Sequence, residues 1–186
     1  MGSTLKSATV AFLAAAEGAE QAELLEPWQA VLEQGGHPVL ISDARDKVQM
    51  FEQLDRGETQ AVDVHIADAR TQDYVGLVLP GGVANPDRLR TVRSAVAFVR
   101  SFFDAGKPVA AICHAPWMLV EASAVSGRTL TSWPSLRTDI ANAGGTWVDE
   151  EAVVCTRGPS TLITSRTPDD LPAFNSNLTR VFAAAR

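Results

Sequence analysis

The chain has 186 residues, 46% of them hydrophobic and 20% charged, long enough for one domain with a substantial core and unlike a disordered composition. A net charge of -6, with Arg88, Arg90, Arg93 and Arg100 scattered among acids and apolar residues rather than blocked together, argues against a nucleic-acid partner. No apolar run approaches the ~18 residues a bilayer span requires, and the opening stretch turns acidic instead of forming a cleavable apolar segment. The expectation is therefore a cytoplasmic protein without membrane contact, folded as one domain over residues 1–186. Its two cysteines, Cys113 and Cys155, are expected to stay unpaired in a reducing compartment.

In chain order, "ATVAFLAAA" (8–16) is a β-prone run. It feeds "EQAELLEPWQAVLEQGG", where Leu24, Leu25, Trp28, Val31 and Leu32 recur at helical spacing until Gly35 and Gly36 stop the helix. "HPVLIS" reads as a strand, and "DKVQMFEQLDRGETQAVD" as a polar hairpin or pair of short edge strands turning at 55–57. "YVGLVLPGG" is apolar on both faces, as a strand inside a parallel sheet must be, and stops at a proline and two glycines. A helix follows, with Val92, Val96, Val99 and Phe103 on one stripe and Gly106 at its end.

"KPVAAIC" is the next buried strand, with Cys113 at its carboxyl end, and "PWMLVEA" begins another helix. "RTLTS" is strand-like, "SLRTDIANAGG" helical, "WVDEEAVVCTRGPSTLITS" reads as late strands around a turn at Gly158 and Pro159, and "LPAFNSNLTRVFAAA" as a closing amphipathic helix. The alternation predicts an α/β domain with a mainly parallel sheet. Reactive groups in such sheets lie beyond the carboxyl ends of the strands, where Glu20, Gly81, Gly82 and Cys113 fall.

Cys113 has two readings. A free cysteine commonly serves as a small buried hydrophobe. A cysteine that ends a buried strand and opens a helix instead occupies a nucleophile elbow, with Ala111 and Ala115 leaving room around it and helix amides favouring its thiolate. His114 follows directly, yet neighbours on regular secondary structure point apart, so only a strained turn brings its ring to the sulfur. His37 and His65 read as structural, Cys155 as filler, and Trp117 and Trp133 as pocket lining or packing. "LPGG" has neither dinucleotide nor P-loop spacing, and no metal-ligand spacing occurs, so neither cofactor nor metal is expected. Glu20 and Glu23 open the first helix, where carboxylates complement the dipole.

Together "FLAAAEGAEQAELLEP", "GLVLPGG", "GKPVAAICHAPWML", "GRTLTSWPSLRTDIANAGGTWVDEEAVV" and "SRTPDDLPAFNSNL" resemble the DJ-1/PfpI family, in its branch of intracellular protease I and general stress proteins. The resemblance implies a flavodoxin-like three-layer sandwich with Cys113 as nucleophile on the elbow. It places a buried acid aimed at the sulfur on Glu20, the catalytic histidine on His114, and oxyanion donors on the backbone N–H groups of Gly82 and His114. It also implies a homo-oligomer in which Asp87, in "NPDRL", orients His114 of a neighbouring subunit. The activity implied is that of a stress-response hydrolase or lyase, whether peptidase, deglycase or glyoxalase acting on methylglyoxal adducts, with a small carbonyl or glycated substrate. The alternative is a redox sensor or chaperone without turnover that uses an oxidisable Cys113.

Overall fold

The computed structural model describes residues 4–185. Strand β1 (Thr9–Ala14) ends earlier than the sequence suggests, because the chain breaks at Ala15 and Ala16 and forms a second strand, β2 (Glu17–Glu20), that pairs elsewhere. Helix α1 (Gln21–Glu33) follows, then β3 (His37–Ser42), β4 (Lys47–Glu52), β5 (Asp55–Ala61), the two-residue β6 (Val64–His65) and β7 (Gly76–Leu79). Next come α2 (Ala84–Leu89), α3 (Arg93–Asp104), β8 (Val109–Ile112), α4 (Pro116–Glu121), β9 (Thr129–Leu130) and α5 (Arg137–Asn142). The chain closes with β10 (Thr146–Trp147), β11 (Ala152–Cys155), β12 (Leu162–Ser165) and α6 (Leu171–Ala184).

The central sheet runs β11-β12-β8-β7-β1-β3-β6, every pairing parallel except that of β11 with β12. Alternation along its inner strands divides the core in two. Ala11, Leu13, Leu77, Leu79, Val109 and Ala111 face the layer containing Phe102 of α3 and Leu119 of α4. Val10, Phe12, Val78, Ala110 and Ile112 face Leu24 of α1 and Phe174 and Phe182 of α6. Gly76 is small for a packing reason: a Cβ there would lie 2.6 Å from the Phe182 ring. The fold is thus an α/β three-layer sandwich with a mainly parallel sheet, of the flavodoxin-like type.

The hairpin expected from the polar stretch is β4–β5, but it reverses at Gln53 and Leu54 rather than at 55–57, with Gln53 itself at φ 59°. Gly57 lies within β5, where Gln21 Oε1 occupies the space a side chain would need. The hairpin joins β2 in a separate three-stranded sheet beside the carboxyl ends of the main strands. Helix α2, six residues with a buried Asn85 and Pro86, has no counterpart in the apolar pattern. No helix among the described residues is long and apolar enough to cross a membrane.

Candidate active site

Cys113 follows β8 directly and adopts φ 62°, a left-handed conformation that side chains with a Cβ seldom occupy. The strain is held from three sides: Cys113 N–H donates to Ser165 O at 3.0 Å, Trp133 N–H donates to Cys113 O at 2.8 Å, and Ala115 N–H donates to Ile112 O at 3.0 Å. This turn brings neighbouring side chains back together, and Sγ of Cys113 lies 3.1 Å from Nδ1 of His114. Trp133 stacks on the imidazole at 5.4 Å and 22°, while Trp117 tilts against it and is fixed by a 2.8 Å bond from its Nε1 to Asp139.

The residues of "LPGG" are required for their size. A Cβ on Gly81 would stand 2.6 Å from Cys113 Cβ and 2.4 Å from Glu23 Oε2; Gly82 has φ 77°, and a Cβ there would meet Gly18 O at 2.1 Å. Asn85 braces this loop from below, accepting from Ala15 N–H at 2.7 Å and donating to Pro80 O at 2.9 Å and Gly81 O at 3.1 Å. The N–H groups of Gly82 and His114 turn toward the sulfur.

The acid beneath the sulfur is Glu23, not Glu20. Glu23 shares the buried face of α1 with Leu24, Pro27 and Val31 and is fully shielded from solvent. Gly81 N–H donates to its Oε2 at 2.9 Å. Its Oε1 makes no hydrogen bond of ordinary geometry, while the carboxyl is coupled to the Cys113 thiol. Burial pushes the Glu23 pKa up to about 8, so the group is a neutral acid at pH 7. Glu20 is the extended N-cap residue of α1; half-buried, it accepts from Gln53 N–H at 3.0 Å. It sits in the same cleft, yet its Oε2 is taken up by the backbone of the hairpin at Gln53 and not by the sulfur.

The thiol differs from the sequence expectation. Burial raises the Cys113 pKa, as does Glu23 once it is ionised, and the Gly82 and His114 amides act the other way. The resting sulfur is a protonated thiol, and the paired histidine must supply what the helix start does not. Burial lowers the His114 pKa, which leaves a neutral ring able to accept a proton.

A cleft of about 560 Å³ opens above the sulfur, lined among others by Glu20, Gln53, Leu54, Val83, His114 and Trp133. Cys113 retains 6% of its surface exposed at its floor. Trp117 packs behind the histidine and is not part of the lining. Asp87 lies exposed on α2, with no contact to His114 of its own chain. Both cysteines are free; Cys155 is half-buried in β11. His37 is exposed, and His65 Nδ1 accepts from Ala67 N–H at 3.2 Å. The sequence reading gave Glu23 only as a first-turn carboxylate and assigned Asn85 no role. The available signal for Glu23 was its place on the apolar stripe of α1; for Asn85, a short helix whose only polar buried residue follows two glycines closely offered little.

Helical layers about a parallel sheet, with a left-handed cysteine above a buried neutral acid, define a class of α/β proteins built around a cysteine elbow. The chain belongs to the DJ-1/PfpI family, whose model matches residues 8–180. It is 42% identical to General stress protein 18 of Bacillus subtilis over 156 residues, 84% of this chain and 87% of that one. It is 42% identical to protein/nucleic acid deglycase 2 of Escherichia coli over 130 residues, 69% of this chain and 73% of that one. Among solved structures, a two-domain protein of Anabaena variabilis with DJ-1/ThiJ/PfpI-like and ferritin-like domains superposes with a TM-score of 0.84 at 29% identity; the match covers 92% of this chain and 47% of the longer protein.

Proposed function

We propose that the chain is a carbonyl-stress enzyme in which Cys113 attacks the aldehyde carbon of a small 2-oxoaldehyde such as methylglyoxal, free or as its adduct with an amine or thiol. The observation that carries this reading is the 3.1 Å approach of Cys113 Sγ to His114 Nδ1 on a left-handed turn at the floor of an open cleft. The relatives named as a deglycase and a general stress protein support it.

The thiol passes its proton to Nδ1 as the sulfur bonds to the aldehyde carbon. The carbonyl electrons move to oxygen, toward which the Gly82 and His114 amides are directed, and the imidazolium returns the proton to give a hemithioacetal. For Nδ1 to accept, the neutral ring carries its hydrogen on Nε2, and we assign Asp87 of a second copy as the acceptor that holds this tautomer. Proton transfer from the former aldehyde carbon to the adjacent ketone carbon, through an enediol, oxidises the first and reduces the second, leaving a lactoyl thioester. Water cleaves it, releasing lactic acid and restoring the thiol. Methylglyoxal plus water thus equals lactic acid; a hemiaminal adduct first breaks its C–N bond, its hydroxyl proton passing to the departing amine, and so frees the aldehyde that Cys113 attacks. Glu23 acts from below as a neutral hydrogen-bonding acid and positions the sulfur.

Mixing two variants tests both the chemistry and the shared site. Asp87→Ala and Cys113→Ser should each lose methylglyoxal turnover. A random mixture after subunit exchange should recover about one quarter of wild-type activity, because each mixed pair holds one complete site. Equal turnover by wild type and both variants would reject the enzyme assignment.

A further inference from the structure

We infer that Glu20 gives the Cys113 cleft a charge preference: neutral and cationic carbonyl compounds are admitted, and those bearing a carboxylate, sulfonate or phosphate are turned away. The inference rests on the proposed reaction only for the identity of the natural substrate; the preference itself belongs to the cleft.

Three observations carry it. Among the described residues, no lysine or arginine lines the cleft, so an anionic substituent entering it would lose hydration without gaining a partner. Beside Gln53 the lining at the mouth is largely apolar, with Leu54 95% exposed at the hairpin tip and Val83 and Trp133 also open to solvent; such walls weaken screening and let one charge act over the opening. Glu20 is held in place there, because Gln53 N–H donates to its Oε2. Its negative charge already acts within the site, where it helps keep the proton on Glu23. Glu23 itself, neutral at pH 7, contributes no charge of its own, so of the two carboxyl groups this chain puts in the lining Glu20 is the charged one. An aldehyde adduct of an arginine side chain presents a cationic guanidinium beside the reacting carbon and suits this opening; glyoxylate, with a carboxylate on that carbon, does not.

The test uses probes that report on access to Cys113 without turnover. Trimethylammonioethyl, methyl and sulfonatoethyl methanethiosulfonate share one reaction: the Cys113 sulfur bonds to the probe's thioalkyl sulfur, methanesulfinate leaves, and the thiol proton passes to His114 or solvent. Rates at Cys113, resolved from Cys155 by peptide mapping, should favour the cationic probe over the anionic one on the order of tenfold at low salt, and less as salt rises. Glu20→Gln, which keeps an oxygen for Gln53, should bring the ratio toward one, and Glu20→Asp should preserve most of it. The methyl probe corrects each protein for intrinsic thiol reactivity. A wild-type ratio within twofold of one, a ratio that Glu20→Gln leaves unchanged, or a Cys113 that no probe reaches would overturn the inference. Methylglyoxal turnover, measured beside it, bears on the proposed reaction alone: a protein that discriminates among the probes without consuming methylglyoxal would sink that reaction and leave the charge preference standing.

Discussion

At the scale of single residues, the site depends on where protons rest. Glu23 titrates near 8 in the folded chain against an ordinary 4.5, so the native state holds that proton more tightly than the unfolded chain does. Its stabilising contribution is complete below about 4.5 and disappears as pH rises through about 8. Glu23→Gln removes this dependence. Urea denaturation at the two ends of that window should show wild type losing, relative to the variant, stability on the order of a few kcal/mol. A constant difference would contradict a buried neutral acid. The assignment of this acid also shows how far residue-level reading reaches: "AEQAEL" offers two glutamates, and the dipole favours both equally. Only the shared helical face of Glu23, Leu24, Pro27 and Val31 separates the one that is buried from the one at the mouth. The expected low thiol pKa failed for a related reason, since a strand-to-helix turn is visible in the sequence but the depth of the sulfur is not.

At the scale of elements, the elbow is kept in shape by its neighbours. Asn85 at the start of α2 spans the gap from β1 to the loop after β7 with three hydrogen bonds. Asn85→Ala leaves these buried backbone groups unpaired and should cost about 2 kcal/mol or more in stability, with a parallel fall in Cys113 alkylation by iodoacetamide; an unchanged alkylation rate would show that the loop keeps its form without the brace. Gly82→Ala forces a Cβ to within 2.1 Å of a backbone oxygen at φ 77° and should impair both properties more severely. The strands ending at Leu79 and Ile112 were legible because they are apolar on both faces and bounded by glycine or proline. Helix α2 and strand β2 were not, because six and four residues are too few to display a period.

At the scale of the whole molecule, the sandwich places the reactive turn over two independent apolar layers. Phe102 in one and Phe174 in the other are fully buried, and alanine at either should cost about 3–5 kcal/mol, read as a lowered denaturation midpoint. The order of the main-sheet strands and the longer helices was readable from alternation, whereas the partition of the polar hairpin into a second sheet was not. That partition follows from β2 leaving the main sheet, and it carries Leu54 and Gln53 to the rim of the cleft. The proposed reaction requires that Cys113 bond covalently to the carbonyl substrate. Protein quenched in acid during methylglyoxal turnover and mapped by mass spectrometry should carry one methylglyoxal equivalent on the peptide containing Cys113 and none on that containing Cys155. Wild-type turnover with Cys113 unmodified, or a Cys113→Ser variant working at the wild-type rate, would contradict it.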